Sequence, residues 1–153
     1  MRRFWMPRTT TVLLPDVNVL LAGFRTDHVH HLPARVFLEA ARSQTITLGM
    51  SDVALSSLVR LATNPRVFVQ PDAISTVLDY IDALLDPPAQ VIRAGPGHWP
   101  RFADLCRELN LRGNLVPDAY LAALAFEQRA ELVTFDRGFG RYPRLRWRCL
   151  LDD

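Results

Sequence analysis

Three aspartates stand where this chain could most readily do chemistry. Asp16 closes the apolar run Thr11-Val12-Leu13-Leu14-Pro15, and Asp136 closes Glu131-Leu132-Val133-Thr134-Phe135. Asp118 lies in Val116-Pro117-Asp118-Ala119, at the start of an Ala/Leu-rich stretch. In an open α/β sheet, the crevice outside the C-terminal ends of the parallel strands is where ligands bind, and acids placed there and at a helix start converge. Carboxylates gathered in one place repel unless they are protonated or share a cation. The chemistry implied is binding of a divalent metal by Asp16, Asp118 and Asp136. Taken singly, an aspartate after a strand is usually a helix cap or turn residue, and Asp118 serves as well as a first-turn acid favoured by the helix dipole. The metal reading rests on the three together.

The elements that must position these acids follow from apolar spacing. Strands are expected over 11–15, 45–48, 90–93, 131–135 and 145–150. Helices are expected over 28–42, from Ser51 or Asp52 to Ala62, from Pro71-Asp72 to Leu85, near 98–110 and over 117–129. Asn64-Pro65 and Pro87-Pro88 end two of the helices. Strands alternating with helices argue for an α/β fold with a mainly parallel sheet covered on both faces. The first ten residues read as a loose N-terminal arm, and 11–153 as one domain.

Composition narrows the class. The 153 residues are 49% hydrophobic and 22% charged, ordinary values for a globular chain. All 18 basic residues are arginine, whose planar fork suits phosphate, although compositional bias produces the same excess. Cys106 and Cys149 make neither a disulfide framework nor a ligand set, and read as free thiols. Pro15, Asp16 and Asn18 interrupt the apolar start, so it reads neither as a signal peptide nor as a span, and a cytoplasmic location is expected. His28, His30 and His31 lack a Cys or acid partner at zinc-ligand spacing. Arg137, Arg141, Arg144, Arg146 and Arg148 are interleaved with Phe139, Tyr142 and Trp147. Under strand alternation Arg144, Arg146 and Arg148 would form a basic stripe able to grip RNA, or simply a solvated face. Residues 74–85 carry an apolar face that suits either the core or a partner surface.

Four segments carry a family likeness: Leu14 to Ala22, Leu58 to Phe68, Gly113 to Ala119, and Thr134 to Phe139. In this order they resemble the PIN-domain family and, within it, the VapC-type toxins of type II toxin–antitoxin pairs. The resemblance implies a three-layer α/β/α domain with a mainly parallel central sheet. It implies a Mg²⁺- or Mn²⁺-dependent endoribonuclease that hydrolyses RNA with metal-activated water. It also implies a small cognate antitoxin as partner, in a homodimer or a toxin–antitoxin hetero-oligomer. The family's first, third and fourth acids fall on Asp16, Asp118 and Asp136, with Asn18 and Arg60 at supporting positions. One departure stands out: Ser57 occupies the place where the family usually has a glutamate. A hydroxyl orients water but lends no charge to hold an ion. Asp52 is a poor replacement, because five residues of helix turn it well away from Ser57. The alternatives are a PIN-fold RNA- or protein-binding module that has lost activity, and a housekeeping RNA-processing nuclease. A haloacid-dehalogenase-like phosphatase is disfavoured, since it needs an aspartate where Asn18 stands and a lysine the chain lacks.

Overall fold

The computed structural model describes residues 11–42 and 46–153; the expected arm over 1–10 and the first residue of the expected second strand lie outside them. Five strands form one sheet: β1 (Val12–Pro15), β2 (Thr47–Ser51), β3 (Gln90–Ile92), β4 (Glu131–Thr134) and β5 (Trp147–Cys149). Their order is β3-β2-β1-β4-β5, and every pairing is parallel. Six α-helices connect or flank them: α1 (Val17–Phe24), α2 (His31–Ala41), α3 (Asp52–Ala62), α4 (Ile74–Leu84), α5 (His98–Glu108) and α6 (Val116–Gln128).

Side chains on adjacent strand positions point to opposite faces, and the strands use this strictly. Leu13 and Val133 join one apolar cluster with Leu48, Met50 and residues of α1 to α4. Leu14 and Leu132 join the other, with α5 and α6. Both sheet faces are therefore covered, giving the expected three-layer α/β/α architecture. The middle strands are short and nearly all apolar because burial on two faces leaves no solvent-facing row.

The chain runs outward from β1 through β2 to β3, then crosses back by α5 and α6 to β4 on the other side of β1. The strand order thus reverses between β1 and β4. Asp16 directly follows β1, Asp136 follows β4 by two residues, and Asp118 sits in the first turn of α6, the crossover helix. All three acids consequently stand around the topological switch point, the place where such sheets bind ligands.

Several boundaries differ from expectation. No element was expected between 16 and 27, yet α1 fills 17–24: Asp16 caps it, its Oδ1 accepting the Val17 N–H at 2.7 Å. The helix is apolar on several sides, so it shows little amphipathic period. The second strand runs later than expected because Gly49, Met50 and Ser51 pair with Gln90, Val91 and Ile92. The last strand is only Trp147–Cys149, since Arg144 takes a left-handed turn with φ 64°. That shortness overturns the basic stripe: Arg144 lies outside the strand, and Arg146 just before it.

Gly49 shows how tightly the sheet interior is packed. A Cβ there would meet Cγ1 of Ile92 and Cγ1 of Val12, each at 2.9 Å. Both atoms belong to β-branched side chains with little freedom at χ1. Gly49→Ala is expected to cost about 1–3 kcal/mol through overpacking, seen as a fall of several degrees in Tm by circular dichroism. Gly97→Ala, whose Cβ would meet only Glu127 Oε2 at 3.4 Å, should leave Tm nearly unchanged.

Candidate active site

The crevice between β1 and β4 is organised by one hydroxyl. Thr134, the last residue of β4, is fully buried. Its Oγ1 donates to Asp16 Oδ2 at 3.0 Å. The same oxygen accepts from Asn18 Nδ2 at 3.3 Å and from the Asp136 backbone N–H at 3.0 Å. One donor and two acceptor sites exhaust what a hydroxyl offers. Asn18 completes the brace: its Oδ1 accepts the Phe135 N–H at 3.3 Å. The main chain adds a bond from the Asp16 N–H to the Val133 carbonyl at 2.8 Å. Asp16, Asn18 and the backbone of Asp136 are thus tied to one atom.

Asp136 is exposed at the rim, and its Oδ1 accepts the Gly138 N–H at 2.7 Å. Asp118 is half-buried in the first turn of α6. The electrostatics join the three. Burial is the largest cause pushing the Asp16 carboxyl up to about 6; the bonds from Thr134 and Val17 pull it down, and the charges of Asp118 and Asp136 push it further up. Asp118 is also raised, first by burial and then by Asp136, with Arg141 opposing. Asp16 therefore feels both other acids, and Asp118 feels Asp136. Among the described residues, however, no three Asp, Glu, His or Cys side chains form a ready-made ligand cage.

That combination suits a hard, well-hydrated cation. Mg²⁺ keeps several waters and takes one or two carboxylates, so it does not need a closed protein cage. The donor set is entirely oxygen, which favours Mg²⁺ or Mn²⁺ over zinc or copper. Asp16, with its carboxyl raised by burial and by like charges, is the residue such an ion would relieve most.

The remaining expected site residues divide. Ser57 is half-buried, midway along α3, a helix that packs against α1. The carboxylate of Asp16 is committed to Val17 and Thr134 rather than to Ser57. Arg60 is exposed in the last turn of α3. Asp52 caps locally, its Oδ1 accepting the Val53 N–H at 2.9 Å. The histidines are occupied by local contacts: His28 Nδ1 accepts the His30 N–H, His30 stacks on Phe135 at 4.8 Å, and a ring nitrogen of His31 meets the Ala22 carbonyl. His98 is buried and bonded to the Tyr120 carbonyl, whereas Trp99 lies exposed. Thr134 is the residue that sequence reasoning missed. Its signal was a lone hydroxyl two residues before an aspartate, at the end of an otherwise apolar strand.

The PIN domain family model matches residues 13–145. This chain is a PIN-domain protein. Ribonuclease VapC43 of Mycobacterium tuberculosis is 40% identical over 142 residues, spanning 92% of this chain and 97% of that protein. Ribonuclease VapC37 of the same organism is 38% identical over 136 residues, 86% and 92% of the two chains. Among solved structures, VapBC2 from Rickettsia felis, bound to a DNA fragment from its promoter, superposes with TM-score 0.70 at 19% identity, covering 91% of this chain and 98% of that one. VapC20 of M. tuberculosis, a toxin that cleaves the sarcin-ricin loop, gives 0.64 at 14% identity, covering 88% and 98%. At such identities the superpositions speak for the PIN fold, and the closer relatives for the kind of PIN protein.

Two expectations follow for this PIN domain. Thr134→Val keeps the shape but leaves the Asp136 N–H and the Asp16 carboxylate without their partner. It should cost about 1–3 kcal/mol and abolish any activity of the site, whereas Thr134→Ser should retain most of both in thermal melts and turnover assays. The second concerns charge. Folded Asp16 holds its proton more tightly than in the unfolded chain, so its contribution to stability falls as pH rises from about 4 to about 6. In metal-free Asp118→Asn, Asp16 should titrate below its wild-type value by carboxyl-carbon NMR, though still raised by burial, and Tm at pH 7 should hold or rise. An unchanged Asp16 titration would show that the two acids do not interact.

Proposed function

We propose that this chain is the ribonuclease toxin of a VapC-type toxin–antitoxin pair, hydrolysing RNA phosphodiester bonds with Mg²⁺ or Mn²⁺ held by Asp16, Asp118 and Asp136. The observation that carries the reading is the placing of these acids around the switch point of a PIN sheet, where the charges of Asp118 and Asp136 both act on Asp16. Its context is a chain 40% identical to a VapC ribonuclease across nearly its whole length. When bound, the ion supplies positive charge for activating water and for stabilising the charge that builds on the phosphate.

The chain's own residues set the stage. Thr134 and Asn18 hold the Asp16 carboxylate in one orientation, which spares the site reorganisation during the reaction. Ser57, at the family's usual glutamate position, contributes a hydroxyl able to orient water and no charge. The matched segments bring no lysine or histidine that could act as a general base, which favours metal activation of the attacking water. A small antitoxin is the expected partner, since one solved structure with this fold is a toxin–antitoxin complex from Klebsiella pneumoniae. With cellular RNA as substrate, the cytoplasm is the expected place of action. A second reading, a PIN-fold module that binds RNA or protein without cutting it, rests on Ser57 and on the absence of a closed ligand cage among the described residues.

Purified protein free of antitoxin should cut total cellular RNA into discrete fragments with Mg²⁺ or Mn²⁺, and not with EDTA or as Asp16→Ala. Ser57→Glu should tighten Mn²⁺ binding several-fold by calorimetry. RNA left intact by folded protein under every condition would favour the binding module. Mn²⁺ affinity unchanged in Ser57→Glu would place residue 57 away from the ion.

A further inference from the structure

The five arginines near the C-terminus are unequally committed. Arg137 pairs with Asp152 at 2.6 Å, and Arg148 with Glu131 at 3.4 Å while lying over the Phe37 ring. Arg146 donates to the Arg129 carbonyl. Arg144 lines a cleft with Pro100, Arg101 and Phe126, on the α5–α6 side.

Arg141 differs from all of them. Its Nε donates to the Gly138 carbonyl at 2.7 Å, which orients the guanidinium plane. Its Nη groups make no ion pair with a carboxylate among the described residues. A Cβ on Gly138 would lie 2.8 Å from Arg141 Nη2 and 2.9 Å from Asp136 Oδ1. The guanidinium and that carboxylate therefore converge on the side of the chain that glycine leaves open. The charge of Arg141 also acts on Asp118. The next residue, Tyr142, is buried with its hydroxyl unpartnered, in the field of Asp118, Asp136 and Arg141.

An exposed cation held beside carboxylates it does not pair with is arranged for an anion from outside the chain. Arginine's fork matches two oxygens of a phosphate, and an acid-lined crevice by itself would repel RNA. Resting on the ribonuclease reading above, we propose that Arg141 is the phosphate-contacting residue of the site, its Nη groups binding the non-bridging oxygens of the RNA phosphodiester to be cut. The contact would offset the repulsion between acids and substrate on binding, and would strengthen as charge builds on those oxygens in the transition state. Gly138 serves the same end, because any side chain there would displace the guanidinium or Asp136.

The test compares full-length wild type, Arg141→Gln and Arg141→Lys by three readouts. The first is cleavage of total cellular RNA with Mn²⁺, where Arg141→Gln should be slower by about 100-fold or more and Arg141→Lys should recover part of the loss. The second is binding of a 20-nucleotide single-stranded RNA in EDTA. Losing one phosphate contact should reduce the slope of log affinity against log salt by about 0.7, with the slope restored by lysine. The third is Mn²⁺ affinity by calorimetry, which should hold or tighten in Arg141→Gln because a repelling cation is gone. RNA binding that weakens while metal binding does not is a pattern that a merely structural arginine would not give. Cleavage within about threefold of wild type by Arg141→Gln, an unchanged salt slope, or parallel loss of metal binding and Tm would each overturn the proposal. Should Arg141→Gln fail to fold, the arginine is structural and the proposal falls. If wild type cuts no RNA the ribonuclease reading fails separately, and the salt slope in EDTA still decides Arg141.

Discussion

Burying a carboxylate at the end of a strand is costly unless something pays out hydrogen bonds to it, and in this protein that donor is the Thr134 hydroxyl. Thr134 sits at zero exposure between β4 and the crevice, donating to Asp16 and accepting from Asn18 and from the Asp136 backbone. The register of β1 against β4, with Pro15 opposite Val133, is what brings that hydroxyl level with Asp16. The apolar packing of Leu13 and Val133 on one face, and Leu14 and Leu132 on the other, fixes the register, because a one-residue slip would turn each of them to the wrong layer. The geometry of the acids is thus a consequence of how four apolar side chains alternate.

The same alternation explains what the sequence made legible. Buried parallel strands are short apolar runs, so β1, β3 and β4 could be found from Leu, Val and Ile alone, and the acids that follow β1 and β4 could be placed at strand ends. Helices with one polar face, such as α3 and α4, announced themselves by period. Helix α1 did not: Val17 to Phe24 is apolar on several sides, and although Asp16 was weighed as a cap, no helix was placed after it. One carboxylate oxygen of Asp16 accepts the Val17 N–H and the other faces Thr134. The arginine-rich tail misled for the opposite reason. Alternating Arg144, Arg146 and Arg148 imitates a strand, but the left-handed turn at Arg144 confines β5 to three residues, and the arginines disperse to separate partners.

Thr134 was easy to miss because a single hydroxyl has no periodic signature. Its importance comes from pairing across more than a hundred residues of sequence, with Asp16 and Asn18 on one side and Asp136 on the other. Only the parallel pairing of β1 with β4 makes those separations short. Asp118 lies between these cases: the Val-Pro-Asp start marks a helix N-terminus, yet nothing local says that α6 is the crossover whose first turn faces the switch point.

The serine at position 57 can be weighed in the same electrostatic terms. Burial, with the charges of Asp118 and Asp136, pushes the Asp16 carboxyl up to about 6, so it holds its proton to higher pH than a free carboxylate. On the proposed reading, a glutamate at position 57 facing the other three acids would raise Asp16 further and favour a proton over the ion. Serine there would remove that repulsion and with it part of the attraction for the ion. The trade would favour the metal-free fold at the expense of metal affinity. Arg141 shifts the balance in the same direction, since it lowers Asp118 while itself repelling a cation. On the proposed reading, three carboxylates with one neutral hydroxyl and a nearby guanidinium would take up the ion weakly, and best with an anion present. A phosphodiester lying against Arg141 would supply that anion, coupling the binding of ion and substrate through charge alone.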